Sequence, residues 1–235
     1  MTGRRVTTVL FDAGGVLLDL DYAFLKRLLE ARHVATTVHE LSASESIART
    51  AIDRRVREGG RTSEAWRDYF RILLTRVGAP PEGTEEIIDT LAEAHQRVGL
   101  WTVAIEGAVA TVRVLKDAGH RLGVVSNAEG RVERDLAGAG FAGLFETVVD
   151  SHVVGVEKPD PAIFHIAMER MNVAPETAMF LGDVPAVDVA GARAAGLTAV
   201  LLDRHDLYAT VDAPRLRSIT ELPGWMASEW GQGET

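Results

Sequence analysis

The 235-residue sequence predicts an α/β fold, a parallel sheet with helices on both faces, interrupted near its start by a helical insert. Three observations carry that expectation. An apolar, β-branched run over residues 6–11 ends abruptly in Asp12, with Gly14 and Gly15 just beyond it. Between about 20 and 98 the periodicity is helical and no convincing strand occurs. From 107 onward, short apolar runs alternate with amphipathic helical stretches.

The elements follow in chain order. Residues 6–11 read as a buried strand that hands the Asp12 carboxylate to a tight loop. The glycines let the loop backbone approach whatever that carboxylate meets. A plain Asp turn gives the same local pattern. The insert holds about four helices. Residues 22–31 carry Phe24, Leu25, Leu28 and Leu29 at helical spacing. A helix follows Gly59 and Gly60, with Thr62 or Ser63 as N-cap. Its apolar face is Trp66, Tyr69 or Phe70, Leu73, Leu74 and Val77, and it stops at Gly78-Ala-Pro-Pro. A further helix covers roughly 84–95. Beyond the insert, helices are expected over 108–118, 131–139, 161–171 and 184–195. Strands are expected over 121–126, 147–150, 178–181 and 198–202. Ala186, Ala190, Gly191 and Ala194 form a small face suited to close packing on a sheet. The tail after Trp225 is polar and expected to fray.

Composition limits the partners. With 46% hydrophobic residues the chain has enough apolar material for a sizeable core. A net charge of −9, with no basic cluster, argues against nucleic acid or an anionic membrane surface. No apolar run approaches a membrane span. The run after Arg4 and Arg5 is too short for a signal segment, so a cytoplasmic protein is expected, as a monomer or homodimer. There is no cysteine, hence no thiol chemistry. Only Lys26, Lys116 and Lys158 supply lysine, against 22 arginines.

The strands that matter each end in polar residues: Asp12 on the first, Ser126 and Asn127 on the second, and Asp183 on the fourth, with Asp188 five residues on. Lys158 lies in a loop just before a helix. Parallel strands bring such ends to one edge, where open α/β sheets place their ligands. Three carboxylates, a hydroxyl and an ammonium suit phosphoryl transfer. An aspartate is a nucleophile able to form an acyl phosphate. A hard cation such as Mg²⁺ takes carboxylate oxygens, while lysine and hydroxyl bind phosphate oxygens.

The order Phe-Asp-x-x-Gly-Val-Leu-x-Asp, Val-Ser-Asn, Lys-Pro-Asp-Pro-x-Ile-Phe and Leu-Gly-Asp-x-x-x-x-Asp-x-x-Gly-Ala resembles the haloacid dehalogenase-like hydrolase superfamily. The match covers nearly the whole chain, and four motifs in order make it specific. The resemblance implies a Rossmann-like core over 1–19 and 99–235 and a small helical cap over 20–98. It implies a phosphatase for a small phosphorylated metabolite, with Mg²⁺ as cofactor. Asp12 would be the nucleophile, with Ser126 and Lys158 completing the catalytic set. Ser126, Asn127 and Lys158 would hold the phosphate. Asp12, Gly14 through its carbonyl, Asp183 and Asp188 would form the metal site, with Asp188 also supporting Lys158. One position departs from the family pattern: most of its phosphatases carry a second Asp, a general acid and base, where this chain has Gly14. A reduced rate is the expectation, although the resemblance extends to related branches with Asp-x-Gly-Gly or Asp-x-Gly-Asn in this motif, which include sugar-phosphate phosphatases.

Other readings compete. A 2-haloacid dehalogenase also lacks the second Asp, but that branch needs no metal and this chain keeps Asp183 and Asp188. A phosphonoacetaldehyde hydrolase needs a cap lysine, and Lys26 is the sole candidate. A binding or regulatory protein that lost turnover with Gly14 is the non-enzymatic alternative. Arg49, Arg54, Arg55, Arg57 and Arg61 read as a solvated helix face rather than a substrate contact. Trp66 and Tyr69 read as core of the insert. Glu129 reads as a helix start and Asp19 as a turn cap. The seven histidines show no metal-ligand spacing.

Overall fold

The computed structural model describes residues 6–230; Arg4, Arg5 and the end of the tail lie outside them. Strand β1 (Thr8–Phe11) is buried along its whole length, as a strand covered on both faces must be. A tight loop follows, closed on the Ala13 carbonyl, which accepts from the Leu17 and Leu18 N–H groups at 2.8 Å each. Short strand β2 (Leu18–Leu20) leads into α1 (Tyr22–Glu30), α2 (Val38–Arg57), α3 (Trp66–Arg76) and α4 (Thr84–Val98). Strand β3 (Trp101–Ala104) pairs with β2 in a two-stranded ribbon. The chain then alternates: α5 (Ala108–Asp117), β4 (Arg121–Ser126), α6 (Val132–Leu136), β5 (Thr147–Asp150), α7 (Ser151–Val154), α8 (Pro161–Met171), β6 (Ala178–Gly182), α9 (Ala190–Ala194) and β7 (Thr198–Leu202). Strand β8 (Arg215–Leu216) and α10 (Leu222–Trp230) close it.

Two compact units result: residues up to Leu18 together with those from Val103 onward, and Asp19–Thr102. The first is built on one parallel sheet of order β5-β4-β1-β6-β7-β8. The chain leaves β1 for β4 on one side, then returns to β6 on the other, so the strand order reverses at β1. Ligands in open α/β sheets bind outside the strand ends at such a reversal.

The Asp19–Thr102 unit has its own apolar core, including Leu25, Leu29, Tyr69, Phe70, Leu73, Ile88 and Leu91. Its longest helix, α2, has no clear apolar stripe. It buries Ser44, Glu45, Ser46 and Asp53, and it starts with a capping box in which Thr37 and Glu40 exchange hydrogen bonds. Glu45 is fully buried; it accepts from the Tyr69 hydroxyl at 2.5 Å and pairs with Arg49.

Several local expectations are corrected. Asp19 is a strand residue; Asp21 caps α1 instead, accepting from the Phe24 N–H at 2.8 Å. A 3₁₀ turn occupies Thr62–Ala65, so α3 proper begins at Trp66 and neither Thr62 nor Ser63 caps it. Arg49, Arg55 and Arg57 are not merely solvated: they pair with Glu45, Glu64 and Asp53. Glu129 lies before α6 and pairs with Arg131 at 3.4 Å. Residues 184–195 do not form one regular helix. A wider π-turn over Pro185–Val189 precedes α9 and shifts the phase, leaving Ala190 and Ala194 exposed and Gly191 buried. A Cβ on Gly191 would stand 2.8 Å from the Phe164 ring and 2.9 Å from the Pro159 carbonyl, so its close packing is on α8 and the loop before it. The tail is helical through Trp230, with Leu222 and Met226 buried.

Candidate active site

The site sits on the C-terminal edge of the sheet, where β1 meets β4 and β6. Asp12 leaves β1 with its N–H still bonded to the Leu181 carbonyl of β6 at 2.9 Å, so the sheet itself aims its side chain. Its Oδ1 accepts from the Ala13 N–H at 2.7 Å and from Lys158 Nζ at 2.8 Å. Gly14 forms an isolated bridge with Leu18, and Gly15 takes the left-handed conformation, φ 81°. The left-handed position of the loop therefore falls on Gly15, a residue that takes it without steric cost.

Lys158 is 1% exposed and lies between two carboxylates, with Nζ at 2.8 Å from both Asp12 Oδ1 and Asp188 Oδ1. It also stands 5.1 Å from the centre of the Phe180 ring, within cation–π range. Burial works to lower the Lys158 pKa, but the carboxylates of Asp12 and Asp188 outweigh it and leave it raised. The group is therefore a fixed ammonium. Burial pushes the Asp12 pKa up; Lys158 opposes this, the Asp188 charge adds to it, and the result is a raised value.

Asp183 and Asp188 follow β6. Asp188 Oδ2 accepts from the Asp183 and Val184 N–H groups at 2.9 Å each, while Oδ1 holds Lys158. Its carboxylate thus folds the turn that carries Asp183 and anchors the ammonium. Oxygens of Asp12, Asp183 and Asp188 lie within 4.8 Å of one another. Three hard oxygen donors at that separation, with a single ammonium among them, fit a small divalent cation.

Ser126 is buried at the end of β4, in register with Asp150 of β5. Asn127, the next residue, has its amide on the Lys158 backbone: Nδ2 donates to the Lys158 carbonyl at 2.9 Å, and Oδ1 accepts from the Lys158 N–H at 2.8 Å. Sequence reasoning passed over Asp150 and Phe180. Asp150 accepts from the N–H groups of Gly130, Val132 and His152 at 2.8, 3.3 and 3.0 Å and so shapes the loop beside Asn127. Its signal was available, a carboxylate ending a core strand. Phe180 gave none, since an apolar residue in a buried strand is unremarked.

A family model described as haloacid dehalogenase-like hydrolase matches residues 6–196. The chain belongs to the haloacid dehalogenase-like hydrolase family. Among its relatives is a phosphoserine phosphatase of Thermus thermophilus, 38% identical over 136 residues, which are 57% of this chain and 53% of that protein. A glyceraldehyde 3-phosphate phosphatase of Methanopyrus kandleri is 32% identical over 137 residues, 58% of each. The chain spans about half the length of the curated relatives it matches. YfnB of Bacillus subtilis, solved bound to magnesium, shares the haloacid dehalogenase-like fold with a TM-score of 0.67 and 23% identity, over 94% of this chain and 99% of that one. No helix among the described residues is long and apolar enough to cross a membrane.

Proposed function

We propose that this hydrolase is a Mg²⁺-dependent phosphatase that cleaves a small phosphorylated metabolite through an aspartyl phosphate on Asp12. The observation that carries the reading is Asp12 itself: a carboxylate at the strand-order reversal, bonded to a buried ammonium, with two further carboxylates within reach. Relatives that are phosphatases support it. Asp12, the Gly14 carbonyl and Asp183 would hold the cation, with Asp188 behind them. When bound, it would offset the repulsion between a carboxylate nucleophile and a phosphate dianion.

In the first step a carboxylate oxygen of Asp12 bonds to phosphorus. The bond from phosphorus to the ester oxygen breaks, and its electron pair leaves with the alcohol. Lys158 and Ser126 hold phosphate oxygens, and the fixed Lys158 charge is worth more in a dry site than in water. In the second step water attacks phosphorus, the Asp12–phosphate bond breaks, and the carboxylate is restored. Water or the substrate must supply and accept the protons, because Gly14 has no side chain to do so. A positioned acid or base is worth roughly a hundred- to ten-thousand-fold. Slow turnover and a preference for stable leaving groups follow.

The test is a screen of phosphate esters with Mg²⁺ and with EDTA, starting from phosphoserine, glyceraldehyde 3-phosphate and p-nitrophenyl phosphate. Mg²⁺-dependent release of phosphate is expected, absent in Asp12→Asn. Turnover that survives either EDTA or Asp12→Asn would overturn the reading.

A further inference from the structure

Asn127 turns its side-chain amide on the chain itself. Both ends of the amide engage the backbone of one residue 31 positions away, and that residue is Lys158. This is the two-bond exchange that paired strand residues make, supplied here by a side chain. The segment it grips needs such an anchor. Residues 155–160 run between α7 and α8 and belong to no strand. From that segment the Lys158 side chain must deliver one ammonium to two carboxylates at 2.8 Å each. Four rotatable bonds separate Nζ from the backbone, so its place depends on where the backbone is held.

Asn127 is itself well fixed. It follows Ser126, the last residue of β4. The next residue, Ala128, has its N–H on Ser151 Oγ at 3.1 Å, and Ser151 Oγ donates back to the Ala128 carbonyl at 3.2 Å. Asp150 holds Gly130 and Val132. On another side of the Lys158 segment, Gly191 closes on the Pro159 backbone with no room for a Cβ. The segment is thus gripped by the β4–β5 edge through Asn127 and backed by α9.

We propose that Asn127 is a positioning residue: it ties the Lys158 backbone to the end of β4, so that the ammonium meets Asp12 and Asp188. Its catalytic consequence rests on the phosphatase reading; the placement of Lys158 does not. Two readouts separate them. The first is a crystal structure of Asn127→Ala. Lys158 Nζ is expected to leave hydrogen-bonding distance of at least one of the two carboxylates. An Nζ still bonded to both overturns the proposal, whether or not the protein is a phosphatase.

The second readout is a double-mutant cycle on p-nitrophenyl phosphate hydrolysis, combining Asn127→Ala with Lys158→Met. Asn127→Ala alone is expected to lower kcat about ten- to a hundredfold, the scale of a misplaced catalytic group. In the Lys158→Met background it is expected to cost no more than about twofold, the limit set for an effect that passes through Lys158. Equal losses in both backgrounds, or no loss in either, overturn the proposal. A wild-type protein that hydrolyses no phosphate ester sinks the phosphatase reading alone and leaves the crystal structure to decide Asn127. Should Asn127→Ala fail to fold, Asn127→Asp keeps the acceptor for the Lys158 N–H, loses the donor to its carbonyl, and serves both readouts.

Discussion

Lys158 is the side chain on which the charge balance of the site turns. It is buried with two carboxylates, and removing one member of a buried charge cluster is costly because the others stay behind. Lys158→Met keeps the length of the side chain and leaves Asp12 and Asp188 uncompensated. A loss of about 3–5 kcal/mol in urea unfolding is expected, on the scale of broken buried pairs. Millimolar Mg²⁺ should recover part of it, since a cation that binds only the folded state stabilises that state. An unchanged midpoint in the variant would show that the carboxylates are held neutral or solvated. At Gly14 the geometry bears on a gain of function. The left-handed φ belongs to Gly15, so Gly14→Asp meets no such strain. That variant is expected to hydrolyse an alkyl phosphate at least tenfold faster than the natural chain, a conservative share of what a positioned acid contributes. Equal rates in a stopped assay would place the proton source elsewhere.

At the scale of elements, β6 and the turn after it form one device. Gly182 ends the strand directly over Asp188, where an added Cβ would stand 2.3 Å from the Asp188 Cβ and 2.4 Å from its carboxyl carbon. Gly182→Ala is therefore expected to push Asp188 off the Asp183 and Val184 N–H groups and off Lys158. Expected are a lower Tm and a weaker Mg²⁺-induced rise in Tm, both read by calorimetry; a wild-type response would mean that the turn relaxes without moving Asp188. The sequence carried much of this arrangement. Strands β4, β5 and β7 and helix α8 end where their apolar runs, Gly and Pro place them, and parallel pairing then brings Asp12, Ser126 and Asp183 to one edge. The phase after Asp183 was illegible because a π-turn changes the residues per turn. Helix α2 was illegible because the residues it buries include Ser44, Glu45, Ser46 and Asp53; its Thr37–Glu40 capping box was the one local sign. The ribbon of β2 and β3 is too short to show alternation. The clasp of Asn127 on Lys158 was hidden because it joins distant positions through backbone groups, which every residue has.

At the scale of the molecule, the Asp19–Thr102 unit has an apolar core of its own, and titratable groups are distributed unequally between the two units. Of the three tyrosines, Tyr22 and Tyr69 lie in the Asp19–Thr102 unit, Tyr208 in the other. Burial raises the pKa of Tyr22 and Tyr69, and the Glu45 carboxylate adds to both shifts. A raised folded value makes the neutral phenol part of the stability of that unit. The contribution is whole below the unfolded tyrosine value near 10 and falls as pH rises above it, because only the unfolded chain then gives up its protons readily. Each tyrosine contributes a slope of up to about 1.4 kcal/mol per pH unit. Tryptophans report the units separately: Trp66 and Trp101 in one, Trp225 and Trp230 in the other. Urea unfolding between pH 8 and 11, followed in chains keeping one pair or the other as Phe variants allow, should show the Trp66–Trp101 transition moving to lower urea above pH 10 ahead of the Trp225–Trp230 transition. Tyr69→Phe removes one titrating group and should roughly halve the slope. A slope untouched by Tyr69→Phe, or a Trp225–Trp230 transition that moves first, would locate the alkaline sensitivity outside the Tyr22, Glu45 and Tyr69 cluster.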